Sequence, residues 1–160
     1  INDQDRYLFR NNQPEATFGF QTQLTYRGWD LSMNLRASLG NYVYNNVNSA
    51  RAQLDLIQNV QVLANLPRSI ENSQFQTTSN VILSDYFMEN GSFLRLDNLN
   101  AGYSWTNLFG TKLQARMGLG GQNLLLLTNY SGIDPEIFNG IDNTLYPRAR
   151  TWLLSINLSY

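Results

Sequence analysis

Long stretches of strict apolar–polar alternation constrain this 160-residue chain more than any other feature. From Ala16 to Arg27, the residues Phe18, Phe20, Thr22, Leu24 and Tyr26 share one parity. Thr17, Gly19, Gln21, Gln23 and Thr25 share the other. A period of two places successive side chains on opposite faces of a β-strand, one apolar and one polar. After Arg27-Gly28 the pattern restarts, with Trp29, Leu31, Met33, Leu35, Ala37 and Leu39 alternating against Asp30, Ser32, Asn34, Arg36 and Ser38. Two such runs around an Arg-Gly pair predict a β-hairpin with a tight turn.

Three further runs follow. Leu99, Ala101, Tyr103 and Trp105 alternate with Asn98, Asn100, Gly102 and Ser104. Leu113, Ala115, Met117 and Leu119 alternate with Gln114, Arg116, Gly118 and Gly120. Trp152, Leu154, Ile156, Leu158 and Tyr160 alternate with Leu153, Ser155, Asn157 and Ser159. The expected strands are 16–27, 29–40, 93–106, 112–123 and 150–160. Arg95 and Asp97 fall on the apolar parity of the third strand. Either that end lies beyond the apolar band or a bulge switches the faces. The connections alternate between short turns and long loops, the latter over about 41–92 and 124–149. Strands of this length exceed the usual ~5–6 residues and match the ~9–11 that cross a bilayer when tilted. Short turns at one end and long loops at the other are the layout of an outer-membrane barrel. The expected class is therefore all-β, an antiparallel transmembrane β-barrel segment. The alternative is a soluble β-sheet module that binds glycans, since alternation also arises when a sheet packs one face on a core. Within the long loop, Leu54, Ile57, Val60, Leu63 and Leu66 recur near helical spacing and predict a helix over 49–66, stopped by Pro67.

Composition narrows the chemistry. The chain has no His and no Cys, which removes His-assisted nucleophiles, imidazole metal sites, disulfides and thiol chemistry. A barrel enzyme with a His-assisted Ser is disfavoured for the same reason. Eleven basic and twelve acidic residues nearly cancel, so no nucleic-acid footprint exists. Charged residues make up 14% against a soluble norm near 25%, while mean hydropathy is only −0.34. Amides fill the gap, with 21 Asn and 11 Gln. No apolar run approaches the ~18 residues of a spanning helix. The chain opens Ile-Asn-Asp-Gln-Asp-Arg with neither Met nor a signal peptide, as a mature product or a piece of something longer would.

Several spaced motifs carry a more specific signal. Ser84-Asp85-Tyr86-Phe87-Met88-Glu89-Asn90-Gly91-Ser92-Phe93-Leu94-Arg95-Leu96-Asp97-Asn98-Leu99 resembles the "SDYFVENGSFLRLKNLTLGY" stretch of SusC/RagA-type TonB-dependent transporters, and Ala101-Gly102-Tyr103 continues it. Gly121-Gln122-Asn123-Leu124 is similar to that family's "GQNLF". Tyr130-Ser131-Gly132-Ile133-Asp134-Pro135-Glu136 is similar to its "YSGYDPE", and Tyr146-Pro147-Arg148-Ala149-Arg150-Thr151 to its "YPRPRTF". Asp3-Gln4-Asp5-Arg6 and the run from Pro14 to Phe20 resemble "DQDRT…NPDFTYGF". The likeness fades between Asn41 and Ile82.

The resemblance implies a 22-stranded barrel around an N-terminal plug, of which this chain would be the C-terminal portion and supply the last five strands. Five strands cannot close a barrel, for which about eight is the minimum. It implies import of oligosaccharides or peptides across the outer membrane of a Gram-negative cell. A SusD-like surface lipoprotein would close the mouth, and TonB would act through the N-terminal region outside this chain. The other partners would be the remaining barrel, the plug and the lipid bilayer. No catalytic residue, cofactor or metal is expected. Asp134, Glu136 and Asp142 could form an acidic loop, but their spacing fits no EF-hand.

Residue roles follow from parity and position. Asp30, Asn34, Arg36, Gln114 and Arg116 fall on the lumen face, as contacts to plug or substrate or as a mutually paired polar wall. Tyr26, Trp29, Trp105 and Tyr160 suit an aromatic girdle at the inner interface. Tyr42, Tyr44, Tyr86, Phe87, Tyr130 and Tyr146 lie in or beside the long loops, where they suit ligand or lid contacts and equally loop packing. The glycines of Gly118-Leu119-Gly120-Gly121 sit inside a strand, where they allow close packing or curvature.

Overall fold

The computed structural model describes residues 4, 6–52, 66–71, 84–143 and 146–160. Five strands make one antiparallel sheet in the order β1 (Ala16–Tyr26), β2 (Trp29–Leu39), β5 (Phe93–Trp105), β6 (Gln114–Thr128) and β7 (Thr151–Ser159). A two-stranded hairpin of β3 (Tyr42–Tyr44) and β4 (Met88–Asn90) stands at the loop-bearing end, beside the short helix α1 (Asn46–Arg51). Arg27 and Gly28 join β1 to β2 with φ of 46° and 88°. Positive φ at both central residues is what a two-residue hairpin turn with the right twist demands. Gly28 also abuts the Ser104 carbonyl, and a Cβ there would come within 2.8 Å of it.

Register turns the alternation into continuous rows. Phe18, Ala37, Leu94 and Leu127 align across the sheet, as do Leu24, Leu31, Ala101, Leu119 and Leu154. Tyr26, Trp29, Tyr103, Met117 and Ile156 form the last full row before the short turns. There the Trp29 and Tyr103 ring centroids lie 4.8 Å apart, and those of Tyr103 and Trp105 lie 4.7 Å apart. Tyr26 and Trp29 are exposed on this face, which suits an interfacial girdle. Tyr160 follows the last strand and is 96% exposed. On the edge strand β7, Trp152, Leu154, Ile156 and Leu158 are about two-thirds exposed. A soluble sheet would cover such a face; hydrocarbon is the medium that suits it.

The third strand's broken parity is a bulge. Between aligned rows, β2 takes two steps from Met33 to Leu35. Beside it, β5 takes three from Leu99 to Leu96, and β6 takes four from Gly121 to Leu125. The extra residue in β5 is Asp97. It turns Arg95 and Phe93 onto the polar face while Leu94 and Leu96 keep the apolar one. In β6 the extra pair is Asn123-Leu124, with Asn123 in the left-handed region at φ 52°. Leu124 folds over Gly121, where a Cβ would stand 2.8 Å from its methyls.

This bulge corrects the expected boundary of 112–123. The strand continues through Leu124–Leu127 to Thr128, and the following loop begins at 129, not 124. β6 also starts two residues later than expected, at Gln114, while the ends of the other four strands fall within one residue of expectation. Most of the helix expected over 49–66 lies outside the described residues. What is described is α1, whose first turn is capped where the Asn45 side chain accepts from Asn48 N–H, and a 3₁₀ turn at Arg68–Ile70 just after Pro67.

Among the described residues, buried apolar side chains do not lie between layers of sheet. Tyr44, Ala52 and Phe87, with Ile70 and Met88 packed on them, form a cluster among the loops. Both outer strands, β1 and β7, are sheet edges, each with a row of unpaired backbone groups. In hydrocarbon such edges must pair with further strands.

Face assignment can be tested by charge insertion in the full-length protein. Leu31→Arg on the apolar face should cost ~2–4 kcal/mol near the bilayer midplane, whereas Ser32→Arg on the polar face should cost far less. Denaturant titration in lipid vesicles measures both, and equal costs would contradict the assignment.

Candidate functional site

The polar face carries the chemistry. At the short-turn end, Arg116 of β6 reaches across β5 to Asp30 of β2, with Nη2 2.6 Å from Oδ2 and Nε 3.2 Å from Oδ1. Gly102 lies between them. A Cβ on it would stand 2.6 Å from Arg116 Nη2 and 2.8 Å from Asp30 Oδ1. Gly118 and Gly120 extend this lane, with Asn100 Nδ2 donating to Ser32 Oγ beside it. The result is a polar trough of about 330 Å³ bordered by Gln23, Asp30, Ser32, Asn100, Arg116 and Leu153. Asn34 sits half-buried between Gln21 and Asn98 on the same face, and Gln114 is exposed opposite Ser159 near the short turns.

A denser network occupies the loop-bearing end. Arg36 and Arg95 are direct cross-strand partners, an arrangement that like charges destabilise. Three carboxylates answer it. Asp97, the bulge residue, accepts from Arg36 Nε at 2.5 Å and Nη2 at 3.1 Å. Glu136 accepts from Arg36 Nη1 at 2.9 Å and Arg148 Nη1 at 3.0 Å. Asp134 accepts from Arg95 Nη2 at 2.6 Å, and Arg148 Nε lies 3.4 Å away. Arg95 and Asp134 are 1% and 4% exposed, so this pair is dry. Asn123 joins the group: its Oδ1 accepts from Arg95 Nη1 at 3.0 Å, and its Nδ2 donates to the Arg148 carbonyl at 2.9 Å. Arg95 Nε has no hydrogen-bond partner among the described residues, while its guanidinium lies 5.4 Å from the Phe93 ring centroid.

The long loops are sewn to one another. Tyr44 N–H donates to the Gly140 carbonyl at 2.8 Å, and Asp142 N–H to the Tyr44 carbonyl at 2.9 Å. Glu89 accepts from Ser131 N–H, Ser131 Oγ and Asn45 Nδ2 at 2.7–2.9 Å. Tyr130 donates its hydroxyl to Asp142 at 2.7 Å. Burial, then this bond to a carboxylate, raises the Tyr130 pKa well above the ordinary tyrosine value.

The six loop aromatics therefore separate. Tyr44, Phe87 and Tyr130 are 6%, 1% and 5% exposed and form the inside of the loop layer. Tyr42 lies under the Arg10 guanidinium, 5.0 Å from its ring centroid. Tyr86 and Tyr146 are exposed, at 44% and 89%. The acidic loop residues are all engaged, Asp134 and Glu136 by arginines and Asp142 by Tyr130. Sequence reading did not single out Asn123, Glu89 or Arg148 as members of a site. It did mark Arg95 and Asp97 as out of place, and that misfit was the available signal.

Comparison with known proteins fixes the family. The TonB-dependent receptor SusC of Bacteroides thetaiotaomicron is 34% identical over the whole chain. TonB-dependent receptor P3 of Formosa agariphila is 28% identical, also over the whole chain. The chain belongs to the SusC/RagA type of TonB-dependent receptor. It spans 16% and 18% of the length of these two relatives. The solved RagAB peptide importer in its closed-closed state superposes with a TM-score of 0.75 at 24% identity, over 96% of this chain and 18% of that one. A second RagAB peptide transporter structure gives 0.71 at 25% identity. No protein-family model matches. In this SusC/RagA-type segment four of the stretches that first suggested the family meet in one place, the Ser84–Leu99 stretch supplying Arg95 and Asp97. "GQNL" supplies Asn123, "YSGIDPE" supplies Asp134 and Glu136, and "YPRAR" supplies Arg148.

Removing one member of the dry pair should be costly. Arg95→Met leaves the buried Asp134 with only the half-exposed Arg148 as a counter-charge and should destabilise the full-length protein by about 3 kcal/mol, while Arg95→Met with Asp134→Leu should recover much of that loss. Thermal unfolding in detergent measures both. Because the Tyr130 pKa is raised on folding, its contribution is complete below the ordinary tyrosine pKa and fades above it. Alkaline destabilisation beyond about pH 10 should therefore shrink in Tyr130→Phe.

Proposed function

We propose that this chain forms part of the wall and mouth of an outer-membrane importer that takes up oligosaccharides or peptides. The observation that carries this reading is the pairing of faces across five strands. One face is apolar from girdle to loops; the other is a polar wall of amides, hydroxyls and internally paired charges. Such a wall separates hydrocarbon from an aqueous lumen. The SusC and RagAB relatives supply the class of activity, nutrient import driven through TonB.

In this reading a SusD-like lipoprotein covers the loop-bearing end, and TonB engages a region outside the chain. Tyr86 and Tyr146 are exposed and are the lid or ligand contacts, and Tyr42, stacked under Arg10, is a third candidate. Tyr44, Phe87 and Tyr130 hold the loop layer that displays them. Asp30 and Arg116 lie on the lumen wall near the short turns, where a plug would meet them.

Three measurements test the proposal. The full-length protein should stay in the membrane fraction until detergent is added; recovery in the soluble fraction would favour a glycan-binding sheet module. Cells deleted for the gene should lose growth on the cognate oligosaccharide or peptide and regain it on complementation. Tyr86→Ala with Tyr146→Ala should lower that uptake several-fold at unchanged receptor level, and an unchanged rate would remove both residues from the contact surface.

A further inference from the structure

We propose that Arg36, Arg95 and Arg148 are positioning residues that hold the loop 130–142 against the lumen wall as a fixed lip, so that substrate passes it without its moving. This rests on the import reading for its purpose, though not for its geometry.

Four observations support it. First, the arginines come from three different places, β2, β5 and the segment before β7, and converge on Asp134 and Glu136 within one turn of the loop. A loop swinging on one hinge would have to break all of these pairs together. Second, the central pair is dry, so separating it would strand two charges in a site with little water to receive them. Third, the far side of the loop is tied down independently. Gly140 and Asp142 are bonded to Tyr44, Val47 N–H donates to the Asp142 carbonyl at 3.1 Å, and Ser131 is bonded to Glu89. Fourth, the glycine best suited to act as a hinge is packed in. Gly140 has φ 74°, but a Cβ on it would stand 2.5 Å from that of Asn12.

Exposure divides the network into two parts. Arg36 and Arg148 are 43% and 44% exposed, and salt screens their pairs. Arg95–Asp134 is shielded and keeps its strength. The lip should therefore stay docked at salt concentrations that loosen its outer bonds.

The test uses the full-length receptor with its partner in lipid. Spin labels are placed at Phe138→Cys, fully exposed on the loop, and at Leu154→Cys on the apolar face of β7. The expected result is one narrow distance distribution, unchanged by candidate substrate, by the partner or by 1 M salt. Arg95→Met should broaden it. Because Arg95→Met also destabilises the fold, a second variant carries Arg36→Cys and Glu136→Cys, joined by a short reducible bis-thiol bridge. Bridged receptor should import within about twofold of the unsubstituted protein. Unbridged receptor, whose lip is still held by Arg95–Asp134, should at equal surface amount keep its half-saturating concentration within about twofold of the bridged form, whereas a moving lip would give different half-saturating concentrations with and without the bridge. A merely structural role would lower the maximal rate instead. Two populations in the unsubstituted receptor, or import blocked by the bridge and restored on reduction, would overturn the proposal. A narrow distribution in a receptor that imports nothing would leave the fixed lip standing and remove the import reading.

Discussion

Arg36 and Arg95 face each other on neighbouring strands, and much of the loop-bearing end of this structure is an answer to that juxtaposition. Two guanidinium groups side by side on a wall repel unless carboxylates lie between them. One carboxylate, Asp97, is supplied by the bulge that turned Arg95 inward. The others, Asp134 and Glu136, come from a distant loop, which is thereby drawn onto the wall. The bulge, the loop position and the left-handed Asn123 are thus one device. Without the extra residue in β5, Arg95 would point into lipid. Without the loop, it would stand unpaired beside another cation.

The glycine lane applies the same economy at the other end. Arg116 spans an intervening strand to reach Asp30 because Gly102 has no side chain in the way. Exposed pairs of this kind add little stability, about 0–1 kcal/mol each. Their effect is to leave the wall without net charge at that level while keeping it hydrated. A dry Arg95–Asp134 contact differs in kind: it is worth little as a replacement for apolar packing and costs much to break. The two ends of the polar face therefore differ in rigidity more than in composition.

What could be read from the residues was whatever repeats along one strand. β1, β2 and β7 are unbulged within their own chain, and their faces follow directly from parity. In β5 the misplaced Arg95 and Asp97 left two readings open, a bulge or an end beyond the apolar band, and the pairing register decides for the bulge. The end of β6 was hidden because Leu124–Leu127 has no alternation to follow and Asn123 departs from strand geometry before it. The site itself is long-range. Arg36 and Glu136 lie 100 residues apart, and Glu89 and Ser131 lie 42 apart. No local pattern encodes such partners, so Tyr44, Phe87 and Tyr130 could equally have been ligand contacts or loop core until the loops were seen together.

Strand geometry locates the ion network relative to the bilayer. On the unbulged β2 the apolar residues run from Trp29 to Leu39, ten residue steps. At about 3.3 Å per step and a tilt of about 40°, they rise about 25 Å, the height of an outer-membrane apolar band. Arg36, the register partner of Arg95, lies within that span. The Asp134-Pro135-Glu136 turn therefore descends to the level of the outer leaflet and takes up room inside the barrel. The bore at that depth is set by a folded loop as well as by strand number, and a barrel of the same circumference lacking this turn would be the wider pore.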